Sequence, residues 1–199
     1  MSELPPAVAA RLRGLPRGLR DHVERARREA RDLARRHDVD ETRVDLAVAA
    51  HDLARALDDD ALIEQAAQRR IRVHPVERAS PPLLHGRIAA SWLKTEAGID
   101  DADVLEAVRW HTTGRKAMGP VAKVVFLADK LDPEKVRRYP DLERVKTLAD
   151  ASLDRALLEY LDRELSHLVR QGYFIHPASI GLRNELLTCV DRTGCDRRS

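Results

Sequence analysis

Six side chains able to hold a metal ion or carry a proton lie on the apolar faces of helical stretches: His22, His51, Asp52, His85, His111 and Asp129. His51 and Asp52 stand side by side in AVAAHDLARAL, residues 47–57, one of the most apolar runs of the chain. A buried imidazole beside a buried carboxylate costs several kcal/mol unless both are paired, hydrogen-bonded or bound to a metal. The other groups repeat the pattern. His22 is flanked at helical spacing by Leu19, Val23, Ala26 and Ala30, His85 by Ile88, Ala89 and Trp92, His111 by Val104, Ala107 and Val108, and Asp129 by Ala122, Val125 and Phe126. Residues at i, i+3, i+4 and i+7 share one helix face, so each of these groups points inward. Asp52 lies about 100° round the helix from His51 and reaches the edge of the same face. A lone histidine in such a place is ordinarily a hydrogen-bonded core residue. Several together, with an adjacent carboxylate, point to a metal centre, because each unpaired group would subtract from stability. Imidazole and carboxylate donors without sulfur suit iron, manganese, zinc or another divalent ion.

The elements that must position these groups are helical almost throughout. Apolar periodicity predicts helices at about 19–36, 41–56, 60–69, 82–97, 101–110, 121–131, 141–148 and 152–171, with a short last one near 181–187. Pro75, Ser80-Pro81-Pro82, Gly98, Gly114, Gly119-Pro120, Pro133, Pro140, Gly172 and Pro177 punctuate them. The only strand-like fragments, IRV at 71–73 and YFI at 173–175, are too short for a sheet, so the fold class is all-α, a helical bundle. Residues 69–81 lack clear periodicity and read either as a loop beside a cleft or as a plain connector. At 199 residues the chain is read as a single domain over 19–187, with an N-terminal extension over 1–18 and a flexible tail over 188–199.

Charge and composition exclude several classes. Lys and Arg number 35 against 33 Asp and Glu, interleaved along the chain, which argues against a nucleic-acid polymer as partner. The Arg-rich run 25–36 alternates with acids at helical spacing and reads as a solvated face. No window approaches the ~18 apolar residues of a membrane span, and the N-terminus lacks the apolar core of a signal peptide, so a cytoplasmic location is expected. Cys189 and Cys195 have neither zinc-knuckle nor redox-pair spacing and read as solvent-accessible thiols.

The order of the site residues, together with DHVERARREARDLA, AAHDLARAL, PLLHGRIAASWL, AVRWHTTGRKAMGPVAKVVFLADKLDP and HPASIGLRNELL, resembles the HD-domain metal-dependent phosphohydrolases. More narrowly it resembles their YqeK branch, the symmetrical bis(5'-nucleosyl)-tetraphosphatases. The match runs from Asp21 to Leu187, and the domain over 19–187 is then an HD domain. The resemblance implies two metal ions, commonly iron, with manganese another candidate. His22, His51, Asp52 and Asp129 would hold one and His85 and His111 the other, with Asp52 bridging. It implies as substrate diadenosine tetraphosphate or a related dinucleoside polyphosphate, cut at its centre by a metal-bridging hydroxide. His51 and Asp52 would then be catalytic. Arg55 stands where that branch carries lysine, which keeps the charge and allows bidentate phosphate contact but puts a proton-transfer role there in doubt.

Basic residues near the ligands are candidates for the phosphate chain: Arg55, Arg87, Arg115, Lys116 and Lys130. Thr112, Thr113 and Gly114 follow His111 at a helix end, where hydroxyls and backbone N–H groups could meet phosphate or simply end the helix. Arg183 and Asn184 match the terminal HP…RN stretch of the resemblance and could close the nucleotide pocket. Trp92 and Trp110 read as core residues before base-stacking ones. The same ligands would serve an HD phosphohydrolase for nucleoside monophosphates or cyclic nucleotides, an HD-type di-iron oxygenase, or a nucleotide-binding sensor. A homodimer is compatible with all of them.

Overall fold

The computed structural model describes residues 3–195, with side chains described through Cys189. Its helices are α1 Pro6–Gly14, α2 Arg17–Arg36, α3 Glu41–Ala50, α4 Asp59–Gln68, α5 Pro75–Ala79, α6 His85–Thr95, α7 Ala102–Trp110, α8 Pro120–Lys130, α9 Pro133–Arg138, α10 Leu142–Ala151, α11 Leu153–Arg170 and α12 Pro177–Cys195. A 3-10 turn over Pro81–Leu84 leads into α6. No strand occurs among the described residues, so the all-α bundle expected from the sequence is what is seen. No helix among them is long and apolar enough to cross a membrane.

Local chemistry sets the helix starts. Asp40, Asp58, Asp101, Asp132 and Ser152 each accept a backbone N–H of the first turn they precede, and α1, α5, α8 and α9 begin on proline, whose fixed φ suits a first turn. The core is built from α2, α3, α6, α7 and α8, which pack on one another through Ala26, Ala30, Ala47, Val48, Ile88, Ala89, Val108, Val125 and other fully buried residues. Alanine dominates these contacts, letting the backbones approach closely and bringing polar groups from several helices to one point. The hairpins α10–α11 and α11–α12 pack against this group, α11 on α8 and α10 on α2.

Three short helices, α1, α5 and α9, lie where the periodicity predicted none. The stretch expected as an extension carries Val8, which is buried in the core as α1 packs on α3. The aperiodic region 69–81 contains α5, started by His74, whose Nδ1 accepts from Val76 N–H while the Glu77 carboxylate accepts from His74 N–H. Two expected boundaries also move. The helix predicted to run to Ala56 stops at Ala50, and residues 51–56 turn tightly through bonds from Leu53 N–H to Ala50 O and from Arg55 N–H to Asp52 O. The last helix, expected over 181–187, spans Pro177–Cys195 and takes in part of the stretch expected as a tail. Cys189 is exposed, and the Cys195 side chain lies outside the described residues.

Gly114 couples the two halves of the fold. Its φ is +64°, and an added Cβ would lie 2.4 Å from Leu182 Cδ2 on α12. Thr113 O beside it accepts from the Ser179 hydroxyl at 2.7 Å. Gly114→Ala is expected to destabilise the protein by about 2 kcal/mol, from the left-handed backbone and the displaced leucine. The check is a lower urea midpoint with an unchanged slope; an unshifted midpoint would refute the coupling.

Candidate metal centre

The structure brings His22, His51, Asp52, His85, His111 and Asp129 into one buried cluster. His51 and His111 are the residues next beyond the last turns of α3 and α7, His85 opens α6, His22 lies within α2 and Asp129 near the end of α8. Each imidazole is tied off through Nδ1. His51 Nδ1 donates to Val48 O at 2.7 Å, His85 Nδ1 to Pro82 O at 2.5 Å and His111 Nδ1 to Val108 O at 2.8 Å. His22 Nδ1 donates to Asp132 at 2.6 Å. A carbonyl can only accept, so these bonds fix the proton on Nδ1 and turn every Nε2 inward.

Asp52 lies between the converging nitrogens. Its Oδ2 is 3.4 Å from His51 Nε2 and 3.8 Å from His22 Nε2, while its Oδ1 is 3.1 Å from His85 Nε2 and 3.7 Å from His111 Nε2. The two oxygens thus face different pairs of imidazoles. Asp129 Oδ1 lies 3.0 Å from His22 Nε2 and 3.8 Å from His51 Nε2. Ligand atoms of His22, His51 and Asp129 fall within 4.8 Å of one another, as do those of His51, Asp52 and His111.

The donor set fits divalent cations on two grounds. His51 Nε2 is buried without a hydrogen-bond partner, an arrangement that a protein interior rarely tolerates. His85 Nε2 and His111 Nε2 approach to 2.8 Å although both carry their proton on Nδ1, so two lone pairs face each other. A shared electrophile relieves both. Burial holds the His111 imidazole down to about 4, keeping it neutral as a ligand must be. Burial opposes the charged forms of Asp52 and Asp129 as well, but it is outweighed. The imidazoles of His51, His111 and His85 packed around it hold Asp52 well below the carboxylate range, and Lys130, Lys135 and His22 do the same for Asp129. For His22 the hydrogen bonds to Asp129 and Asp132 overcome burial and raise it to about 9, so in the metal-free protein its Nε2 carries a proton toward Asp129 that a bound cation would have to displace.

Gly86, after the candidate ligand His85, permits the close approach of α6 to α7. A Cβ there would lie 2.7 Å from Val108 O and 3.0 Å from the His111 ring. Around the centre sit three residues that the sequence reading did not single out. Asp132 orients His22 and is gripped by Arg25 at 2.7 and 3.0 Å. Lys135 Nζ reaches Asp129 Oδ1 at 2.7 Å. Asp132 could have been found at i+3 from Asp129, but it lies beyond the end of α8 and so outside the helical pattern. Lys135 lies six residues from Asp129, a separation with no fixed meaning across two helices.

The expected phosphate contacts divide. Lys130 is at the centre, its Nζ 2.5 Å from Asp129 Oδ2 and 3.2 Å from His111 O. Arg55 is exposed three residues beyond Asp52 and has no ion-pair partner among the described residues. Arg87 is instead engaged by the buried carboxylate of Glu77, at 2.6 and 2.8 Å, and by Arg72 O. Arg115 pairs with Glu106, and Lys116 lays its stem along Gly181. Thr113 is buried with its hydroxyl on Gly114 O, Gly114 serves the α12 contact, and Thr112 is half-buried. Arg183 bonds Asp162 at 2.5 Å, and Asn184 is exposed. Trp92 is buried beneath the Arg11 guanidinium, 4.0 Å from the ring centroid, consistent with a core role. Trp110 is half-buried.

The HD domain family matches residues 19–134. The chain is 34% identical over 160 residues to a symmetrical bis(5'-nucleosyl)-tetraphosphatase of Halalkalibacterium halodurans, covering 78% of this chain and 82% of the relative. It is 28% identical over 157 residues to that of Bacillus subtilis, covering 79% and 83%. A crystal structure of a predicted HD superfamily hydrolase involved in NAD metabolism from Clostridium acetobutylicum superposes with a TM-score of 0.86 at 28% identity, over 92% of this chain and 96% of that one.

Removing the carboxylate that orients His22 tests the role of Asp132 without touching a candidate ligand. Asp132→Ala is expected to lower divalent-metal affinity about 10- to 100-fold, and Asp132→Asn, still able to accept from Nδ1, to recover part of it. Titration of the metal-free protein with Mn²⁺ measures this, and equal affinity in all three proteins would exclude the role.

Proposed function

The chain belongs to the HD-domain family, and from that premise we propose that it is a metal-dependent phosphohydrolase that cuts diadenosine tetraphosphate, or a related dinucleoside polyphosphate, symmetrically into two nucleoside diphosphates. The observation that carries the metal-dependent reading is Asp52, whose two oxygens face separate pairs of inward-turned Nε2 atoms. The symmetrical regiochemistry is that of the tetraphosphatase relatives.

His22, His51, Asp52 and Asp129 would hold one divalent ion and His85 and His111 a second, with Asp52 placed to serve both. All-nitrogen and oxygen donors support iron, with manganese the other candidate. Bound there, the ions would supply an acidified water as nucleophile and neutralise charge on the attacked phosphoryl group. The protein's own groups do the rest. The Nδ1 bonds hold four imidazoles in the tautomer that presents Nε2, and Asp132 with Arg25 fixes the ring of His22. Lys130 and Lys135 place two ammonium groups at the Asp129 side of the centre, where a polyphosphate of about four negative charges meets cations at short range. Arg55, exposed beside the His51–Asp52 turn, supplies a planar donor fork for non-bridging oxygens.

The purified protein, loaded with iron or manganese and incubated with diadenosine tetraphosphate, is expected to give ADP as sole product by chromatography. AMP with ATP would reject the symmetrical cut. Asp52→Ala is expected to lose bound metal and turnover together, by at least a thousandfold in rate. Full activity of a metal-depleted Asp52→Ala protein would overturn the mechanism.

A further inference from the structure

We propose that the Glu77–Arg87 ion pair is a positioning device for His85, holding the proline turn whose carbonyl decides which nitrogen that imidazole offers. The inference rests on the reading of His85 and His111 as ligands of a second ion. Glu77 lies on α5 and Arg87 on α6, and the pair closes a loop around the 3-10 turn Pro81–Leu84 that joins the two helices. Inside that loop Pro82 O accepts from His85 Nδ1 at 2.5 Å. The metal chemistry makes no use of Glu77, yet its side chain is only 3% exposed. A buried ion pair adds little net stability once the lost hydration of both charges is counted, so stability is a poor reason for its place beside the turn.

The turn is badly equipped to hold itself. Pro81 and Pro82 have no N–H to donate, and the backbone bonds across it run from Leu83 N–H to Ser80 O and from His85 N–H to Pro82 O. Packing on α4 and the burial of Leu84 fix its depth in the fold, but apolar contact is non-directional and does not aim a carbonyl. The ion pair is directional. Arg87 Nη1 donates to Glu77 Oε2 at 2.6 Å, to Glu77 Oε1 at 2.8 Å and to Arg72 O at 2.9 Å, so one nitrogen ties α6 to α5 and to the segment before it. Glu77 Oε2 also accepts His74 N–H at 2.8 Å, which fastens the carboxylate to the start of α5. His176 Nε2 stands 4.0 Å from Glu77 Oε1, beyond hydrogen-bond reach, so Arg87 is the cation that holds Glu77. Arg87 follows His85 within the same helical turn, which puts the clamp next to the candidate ligand. With the turn held, Nδ1 keeps its proton on Pro82 O and Nε2 faces Asp52 Oδ1 at 3.1 Å. With the turn loose, the ring can carry its proton on either nitrogen, and the form protonated at Nε2 cannot bind a cation there.

The test uses two forms of the full chain. Glu77→Gln with Arg87→Met removes both charges and leaves neither partner buried alone, while Glu77→Asp keeps the charges and withdraws the carboxylate by one methylene. Long-range proton–nitrogen NMR spectra of the metal-free proteins read the tautomer of His85, and Mn²⁺ titration reads the affinities of the two ions. Wild type is expected to carry the His85 proton on Nδ1. Both variants are expected to show a mixture of tautomers and to bind the second ion about tenfold more weakly, with the first ion unchanged. Melting temperatures establish that each variant is folded, and if one does not fold the other carries the test. A merely structural pair would shift the melting temperature and leave the tautomer alone. Retention of the Nδ1 proton, an unweakened second ion or equal weakening of both ions would each overturn the assignment. If wild type binds no manganese, the metal reading falls and the spectra alone decide the clamp.

Discussion

An imidazole can offer a metal only one nitrogen at a time, and which one it offers depends on what holds the other. In this protein that constraint is met largely by the ends of helices. The last carbonyls of an α-helix have no partner within the helix, and Val48 O and Val108 O are two of these, satisfied by the Nδ1 protons of His51 and His111. The histidines that finish α3 and α7 therefore do two things with one ring, closing the helix and directing Nε2 to the centre. Pro82 O, in the 3-10 turn before α6, plays the same part for His85. His22 alone lies mid-helix, where the backbone carbonyls are taken, and a carboxylate from elsewhere, Asp132, substitutes.

From this follow the packing and the charge distribution. Four Nε2 atoms can converge only if their helices approach closely, which explains the alanine-rich contacts of α2, α3, α7 and α8 and the glycine after His85. Three carboxylates, Asp52, Asp129 and Asp132, are buried in the same small volume. Isolated, such charges would not ionise there. Arg25 pairs with Asp132, and Lys130 and Lys135 pair with Asp129, so the anions stay charged. Asp52 is surrounded instead by imidazoles, leaving it as the group whose charge is directed wholly toward the centre.

Cations near the ligands in sequence have different fates in space. Arg87 and Arg115 lie two and four residues from candidate ligand histidines, yet each meets an acidic partner on another segment, Glu77 or Glu106. Lys135 lies on the next helix and reaches the centre because the turn after α8 folds back, with Asp132 capping the start of α9. Long flexible side chains report their neighbours only after the backbone has placed them, so proximity along the chain is a poor guide to which cation faces a polyphosphate.

The residues by themselves determined the helical class, the candidate ligands and their inward faces, because each depends on a short-range period within one helix. The family resemblance was equally legible, since it rests on contiguous motifs such as LLHG, WHTTGRKAM and FLADKLDP. Periodicity missed α5 and α9, which are too short to repeat an apolar pattern, and α1, which buries only Val8, and it carried α3 past the tight turn at His51 and Asp52. Only the tertiary structure decided which oxygen of Asp52 faces which imidazoles, that Asp132 orients His22 across 110 residues of chain, and that Glu77 meets Arg87 around the turn before His85. Those facts belong to distances between helices, and such distances are set by how the side chains of the whole core fill space.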